Sequence, residues 1–249
     1  MLDRIVAVKK QEVANLRFGE SVDVVRYSLF ERLSKPNRTI GLIAEVKRAS
    51  PSKGIIKEDF EPIQIAKQYE LGNADALSVL TDEQFFKGHH SFLTAIKQQV
   101  KLPVLRKDFI IDSKQIEDSI RMGADAILLI AAILDKHQLH EFYEESYEKG
   151  IECLVEVHSL TDVEKVYSVF KPQMVGVNNR DLQTFKTNLQ QTIDISRQLP
   201  EAQFVISESG IGTVNDLQQL EGYAKAVLVG ETLMRAKTPL LGIRSLFGE

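Results

Sequence analysis

Lysines and glutamates recur in this sequence at the ends of short apolar runs, a placement suited to proton transfer. Gly-Leu-Ile-Ala-Glu-Val-Lys ends with Glu45 and Lys47, and Val-Leu-Arg-Lys ends with Lys107. Leu-Val-Glu-Val-His carries Glu156, Gly-Val-Asn-Asn-Arg carries Asn178 and Arg180, and Val-Ile-Ser-Glu carries Glu208. A carboxylate and an ammonium held close together shift each other's proton affinity and can act as general acid and base near neutral pH. Desolvating charges usually costs more than pairing them returns, so this many charged strand ends point to catalysis rather than stability. Taken alone, Glu45 and Lys47 are equally well explained as a salt bridge tying down one strand.

A second group of residues suits an anion. Ser209-Gly210-Ile211-Gly212 and Gly230-Glu231 follow the last two apolar runs. Glycines let backbone amides close on a phosphate, and the start of a short helix adds positive potential. Tight turns are the alternative for each glycine. The loop from Arg48 to Gly54 supplies hydroxyls and cations, with Ser50 a candidate contact for an acidic group and a solvated turn as the plain alternative. His158 follows Glu156 by two positions, a spacing that would suit a metal pair, but a third ligand is not evident and no metal is expected. His89, His90, His137 and His140 read as surface residues. Cys153 stands alone, which excludes an intrachain disulfide and reads as a packed core thiol.

These residues need a scaffold that gathers strand ends. Eight apolar runs alternate with segments of helical periodicity, the pattern of repeated βα units. The strands are expected at Gly41 to Lys47, Ala76 to Thr81, Pro103 to Lys107, Ala126 to Ala131, Cys153 to His158, Met174 to Asn179, Phe204 to Ser209 and Ala226 to Glu231. Asp112 with Gln115, Ser159 with Asp162, and Thr213 with Asp216 are spaced as reciprocal helix caps. Gly72-Asn-Ala-Asp-Ala-Leu and Gly123-Ala-Asp-Ala-Ile form a faint internal repeat, each ending a helix and entering a strand. Strands apolar on both faces fit a closed α/β barrel, the (β/α)8 TIM barrel, better than an open doubly wound sheet. The expectation is one barrel domain over residues 1–249, with residues 1–38 as an amino-terminal helical extension formed by helices at Leu2 to Leu16 and Val22 to Leu33. Functional groups of such a barrel sit at the carboxyl ends of its strands.

The chain has 249 residues, 43% hydrophobic and 27% charged, with a formal net charge of -4, an ordinary balance for a folded globular protein. No segment concentrates Lys and Arg as nucleic-acid binders do, so a nucleic-acid partner is not expected. The amino terminus mixes acids and bases and lacks an apolar run, so neither export nor a membrane partner is expected and the cytoplasm is the expected location. There is no Trp, which leaves the fluorescence window of an indole free.

Ile43-Ala-Glu-Val-Lys-Arg-Ala-Ser-Pro-Ser-Lys-Gly54 closely resembles the signature of indole-3-glycerol-phosphate synthases. The resemblance continues through Ser78-Val-Leu-Thr-Asp82, Lys107-Asp-Phe-Ile-Ile-Asp112, Leu154-Val-Glu-Val-His158, Asn178-Asn-Arg-Asp-Leu182, Ser207-Glu-Ser-Gly-Ile211 and Leu228-Val-Gly230, so it spans the chain. It implies a carbon-carbon lyase of tryptophan biosynthesis that needs no cofactor. The implied reaction converts 1-(o-carboxyphenylamino)-1-deoxyribulose 5-phosphate to indole-3-glycerol phosphate, carbon dioxide and water.

The resemblance assigns the general acid for ring closure to Lys107. Lys47, paired with Glu45, is expected to hold an anionic side of the substrate. Glu156, Lys47 and Glu45 share the dehydration, Asn178 positions a hydroxyl, and Arg180 supports the charged cluster or a substrate anion. Glu208 lines the pocket, Ser50 meets the carboxylate, and the backbone of Ser209, Gly210, Gly230 and Glu231 holds phosphate. Glu231 stands where some relatives carry serine, so its carboxylate must turn away from the phosphate. Association with other tryptophan-pathway enzymes is a further expectation. The competing readings are a related phosphoribosylanthranilate isomerase, a Schiff-base aldolase with Lys107 as nucleophile, and a non-catalytic sugar-phosphate sensor. The isomerase should lack the Glu-x-Lys-x-x-Ser-Pro-Ser run, and a sensor would not need three inward glutamates.

Overall fold

The computed structural model describes residues 1–181 and 184–249, so Leu182, the last residue of the Asn178 motif, lies outside the described residues. Eight parallel strands close on themselves: β1 (Gly41–Val46), β2 (Ala76–Leu80), β3 (Val104–Lys107), β4 (Ala126–Ile130), β5 (Glu152–Val157), β6 (Met174–Asn178), β7 (Phe204–Glu208) and β8 (Ala226–Val229). β8 pairs with β1 through Gly41 to Ala226 and Ile43 to Leu228, and at least one helix follows every strand. This is a (β/α)8 barrel.

The pleat decides what each residue meets. Ile43, Leu105, Leu128, Leu154, Ile206 and Leu228 point inward and form the barrel core. Their neighbours, such as Leu42, Ala44, Leu77 and Val79, point outward and pack with the helices. Two positions beyond the inward core residues the same face reaches the mouth, where Glu45, Lys107, Glu156 and Glu208 stand. No helix among the described residues is long and apolar enough to cross a membrane.

The amino-terminal extension holds both ends of the barrel. Helix Leu2–Ala14 lies at the mouth, where Met1, Leu2 and Ile5 line the cavity described below. Lys9, on its buried face, meets Asp108 at 2.8 Å, Asp82 at 3.2 Å and Glu12 at 2.6 Å. At the opposite end, Ser28 Oγ donates to Glu152 at 2.5 Å, and helix Leu29–Ser34 inserts Leu29 and Leu33 into the inward core.

The helix expected over Val22 to Leu33 is thus a correction: only Leu29–Ser34 is helical. The stretch before it runs as a strap whose backbone bonds are long-range, Val22 N–H to the Arg121 carbonyl and Tyr27 N–H to the Asp125 carboxylate. Val22 and Val24 fill the space above Gly123 that a side chain would occupy. Tertiary partners override a coincidental helical spacing here.

Caps follow expectation at Thr213, where Asp216 completes the box, and at Ser159, which accepts from the Asp162 amide. The Asp112 cap forms by half: Asp112 Oδ1 accepts from the Lys114 amide in the first turn at 2.9 Å, but the Gln115 side chain does not return the bond. Ser113 stands at that helix start without a side-chain cap, while Gln115 turns back to the Ile111 amide and the Phe109 carbonyl and braces the loop after β3. Cys153 is buried on β5, and burial pushes its thiol up to about 12.

Candidate active site

A cavity of about 620 Å³ opens at the carboxyl ends of the strands. All twelve residues expected at the site line it: Glu45, Lys47, Ser50, Lys107, Glu156, Asn178, Arg180, Glu208, Ser209, Gly210, Gly230 and Glu231. Strand ends far apart in sequence arrive there because the barrel closes.

Lys107 occupies the middle of the charged floor. Its Nζ lies 3.0 Å from Glu156 Oε2 and 3.5 Å from Glu208 Oε2. Burial alone would weaken its hold on a proton, but Glu156, Glu208 and Glu45 together outweigh that and keep it an ammonium well above the usual lysine range. Glu156 responds in the opposite sense: burial favours its neutral form, yet Lys107, then His158, hold it below the ordinary carboxylate range. The Asn178 carboxamide also bonds to it. Glu208 is pushed up, first by burial and then by Glu156 and Glu45, against the pull of Lys107. The trio therefore combines a charged acid, a charged base and a carboxyl biased toward its protonated form.

Lys47 and Glu45 form a separate pair, Nζ to Oε2 at 2.5 Å. Two glycines make room for the carboxylates. A methyl on Gly230 would overlap Glu45 Oε2, and one on Gly176 would overlap Glu208 Oε1. Gly230 therefore has a steric duty toward Glu45 that its reading as a phosphate residue did not foresee.

The anion side is built from turns. Ser209 and Gly210 both take left-handed backbone, at φ 68° and 82°, which turns consecutive amides toward one side. Gly212 N–H is taken by Asp216 at 2.8 Å. Glu231 begins a short helix (Glu231–Arg235) instead of ending β8, and its carboxylate bonds Arg235 at 2.9 Å with Lys53 at 3.7 Å. Ser50 sits in a two-stranded hairpin with Gly54 and Ile55, above the mouth. Arg180 donates to the Phe185 carbonyl at 3.0 Å and so braces its own loop.

Residue-type reasoning missed the apolar wall. Leu80, Phe86, Phe109, Leu128 and Ile130 line the same cavity, with Phe86 and Phe109 rings 6.1 Å apart. The available signal was position, since Phe109 follows the Lys107 strand end by two residues. It also missed Lys9, whose partners come from three different segments. His158 is better placed than expected, lining the cavity 3.3 Å from Glu156 Oε1. The three described groups spaced to share a metal lie outside the cavity, at Glu83, His89 and His90.

A family profile described as indole-3-glycerol phosphate synthase matches residues 2–246. The chain belongs to that family. It is 54% identical over 250 residues to the indole-3-glycerol phosphate synthase of Priestia megaterium, covering 100% of this chain and 98% of the relative. The protein of that name from Bacillus velezensis is 54% identical with full coverage of both chains, and the one from Halalkalibacterium halodurans is 52% identical, covering 100% and 97%. Among solved structures, a 3-hexulose-6-phosphate synthase matches with a TM-score of 0.64 at 13% identity, over 84% of this chain and 99% of that one. That likeness shows the shared barrel. Membership in the synthase family makes the chain an enzyme of the carbon-carbon lyase kind, and the Glu-x-Lys-x-x-Ser-Pro-Ser run from Glu45 to Ser52 falls at the first strand end of its barrel.

Proposed function

We propose that this synthase closes the indole ring of indole-3-glycerol phosphate in the cavity described above, with loss of carbon dioxide and water. The carrying observation is Lys107, held as an ammonium between two buried glutamates and facing a pocket that is charged on one wall and apolar on another. Ring closure places negative charge on the substrate's carbonyl oxygen, and Lys107 protonates it as the aromatic carbon attacks. Phe86, Phe109, Leu128 and Ile130 offer the aromatic ring a dry surface. Lys47, with Ser50 above it, orients the carboxylate until its loss restores aromaticity.

Dehydration then needs a proton on the departing hydroxyl and a base for the ring proton. Glu156, Glu45 and Lys47 share these roles, with Asn178 holding the hydroxyl. Glu208 lines the pocket beside Lys107 as a carboxyl poised to stay neutral, and Arg180 stabilises the loop over it. The phosphate is held by the backbone of Ser209, Gly210, Gly230 and Glu231. The turning of the Glu231 carboxylate onto Arg235 supports this, since it removes a negative charge from the cradle. The cytoplasm as workplace and contact with neighbouring tryptophan-pathway enzymes are part of the same proposal, and co-elution of those enzymes from a native lysate tests the contact.

The test is turnover of the anilino-deoxyribulose phosphate by the purified protein. Indole fluorescence should rise with matching release of carbon dioxide, against a chain that contains no Trp. Folded protein that yields neither signal at any substrate concentration removes the assignment.

A further inference from the structure

The reaction proposed above has an unbalanced proton. With the substrate carboxylate ionised, ring closure puts one proton on the carbonyl oxygen and dehydration puts a second on the departing hydroxyl, while the indoline carbon returns only one. The carboxylate leaves as carbon dioxide, so its electron pair stays in the ring. Each turnover therefore draws one proton from solvent, and with substrate filling the cavity that Lys107 lines, that proton needs a path past it.

His158 lies where such a path would begin. It follows Glu156 on the same face of the β5 strand end, and its Nε2 stands 3.3 Å from Glu156 Oε1. The other carboxylate oxygen, Oε2, is 3.0 Å from Lys107 Nζ. Three groups that can carry a proton thus stand in a row, ending on the general acid. The His158 backbone is fixed from two sides, its N–H on Asp162 at 2.9 Å and its carbonyl accepting from Gln191 at 2.6 Å, which leaves the ring to face the cavity. Among the described residues neither ring nitrogen has a hydrogen-bond partner although both are buried, an arrangement that a purely structural histidine avoids. The charged groups that the described residues set against His158 are Glu156 at its ring and Asp162 at its backbone amide, with Lys107 on the far side of Glu156 and Arg180 and Lys186 lining the same cavity. Asn178 and Gln191 are neutral.

We propose that His158 is the proton-entry residue of this enzyme, recharging Lys107 through Glu156 after each turnover. A protonated imidazole gives its proton to Glu156 Oε1, and the carboxyl group turns. It then delivers a proton from the Lys107 side to the neutral amine, and His158 takes a new one from water in the cavity that its ring lines, once the ring turns a nitrogen outward. Imidazole suits this duty because it exchanges protons rapidly near neutral pH. His158 acts through Glu156 and does not bond to substrate.

The inference rests on the ring-closing reading, and one set of measurements separates the two. His158→Gln and His158→Asn are compared with the wild-type enzyme in weakly buffered solution, in water and in deuterium oxide, with and without added imidazole. In both variants kcat should fall about tenfold with KM little changed, the solvent isotope effect should grow, and imidazole should restore kcat toward wild type. A variant that matches wild type in kcat and isotope effect overturns the proton path. So does a variant that is slow but indifferent to imidazole in both substitutions. A wild-type enzyme that does not turn over removes the ring-closing reading, and with it the proton that His158 is held to supply.

Discussion

Lys9, buried, and Lys107, half-buried at the mouth, are two lysines in carboxylate surroundings, set on either side of the same strand end. Lys107 closes β3 and reaches into the cavity, while Asp108, the next residue, gives its carboxylate to Lys9. The Lys9 cluster is the more fully paired, since its one oxygen without a hydrogen bond among the described residues, Asp82 Oδ2, still lies 3.2 Å from the Lys9 ammonium. Asp108 accepts from Lys9, Thr81 and Arg106, and Arg106 is tied in turn to Asp118 and Ser119. The Lys107 cluster is left open, with a glutamate oxygen and both nitrogens of His158 lacking hydrogen bonds beside a cavity. Structural ion networks pair off their charges, whereas a catalytic one keeps proton-carrying groups free to exchange.

Lys107 carries the largest expected effect. Lys107→Met should lower kcat by at least about 10³-fold in a protein that still folds, with some loss of melting temperature because Glu156 loses its ammonium partner. Near-normal turnover would remove Lys107 as the acid. Gly176→Ala should displace the Glu208 carboxylate from Lys107 and lower kcat by about 10²-fold, read from steady-state kinetics. An unchanged rate would mean that Glu208 has no catalytic position to lose.

Lys9→Met is the reciprocal test. Leaving Asp82 and Asp108 without their shared cation should destabilise the protein by about 3 kcal/mol in urea unfolding, with a smaller loss of activity than at Lys107. The smallest effect concerns acid. Burial would raise the Asp108 carboxyl, but Lys9 and then Arg106 outweigh it and lower it from 3.8 to about 2. A depressed carboxylate stabilises the fold above its unfolded value and loses that contribution as pH falls through the folded one. Asp108→Asn should therefore flatten the loss of stability between about pH 4 and pH 2, followed by equilibrium unfolding at each pH.

Much of this was legible in the sequence, for a physical reason. Barrel strands are apolar on both faces, so a charged residue at a strand end stands out, and the strict alternation of side chains placed Ile43, Glu45 and Lys47 on one face. The strap before Leu29 was not legible, because its backbone partners, Arg121 and Asp125, are about a hundred residues away in the chain. Nor was the duty of Gly176 and Gly230, whose missing side chains matter only because Glu208 and Glu45 arrive from neighbouring strands. Lys9 looked like one charge among many on an amphipathic helix, and only tertiary packing buries it.

A crystal structure of the enzyme with indole-3-glycerol phosphate bound tests the shared site most directly. The phosphate should lie on the amides of Ser209, Gly210, Gly230 and Glu231, the indole against Phe86 and Phe109, and Lys107 Nζ within contact distance of the ring. Product seated elsewhere, or a phosphate held away from both glycine turns, would contradict that placement.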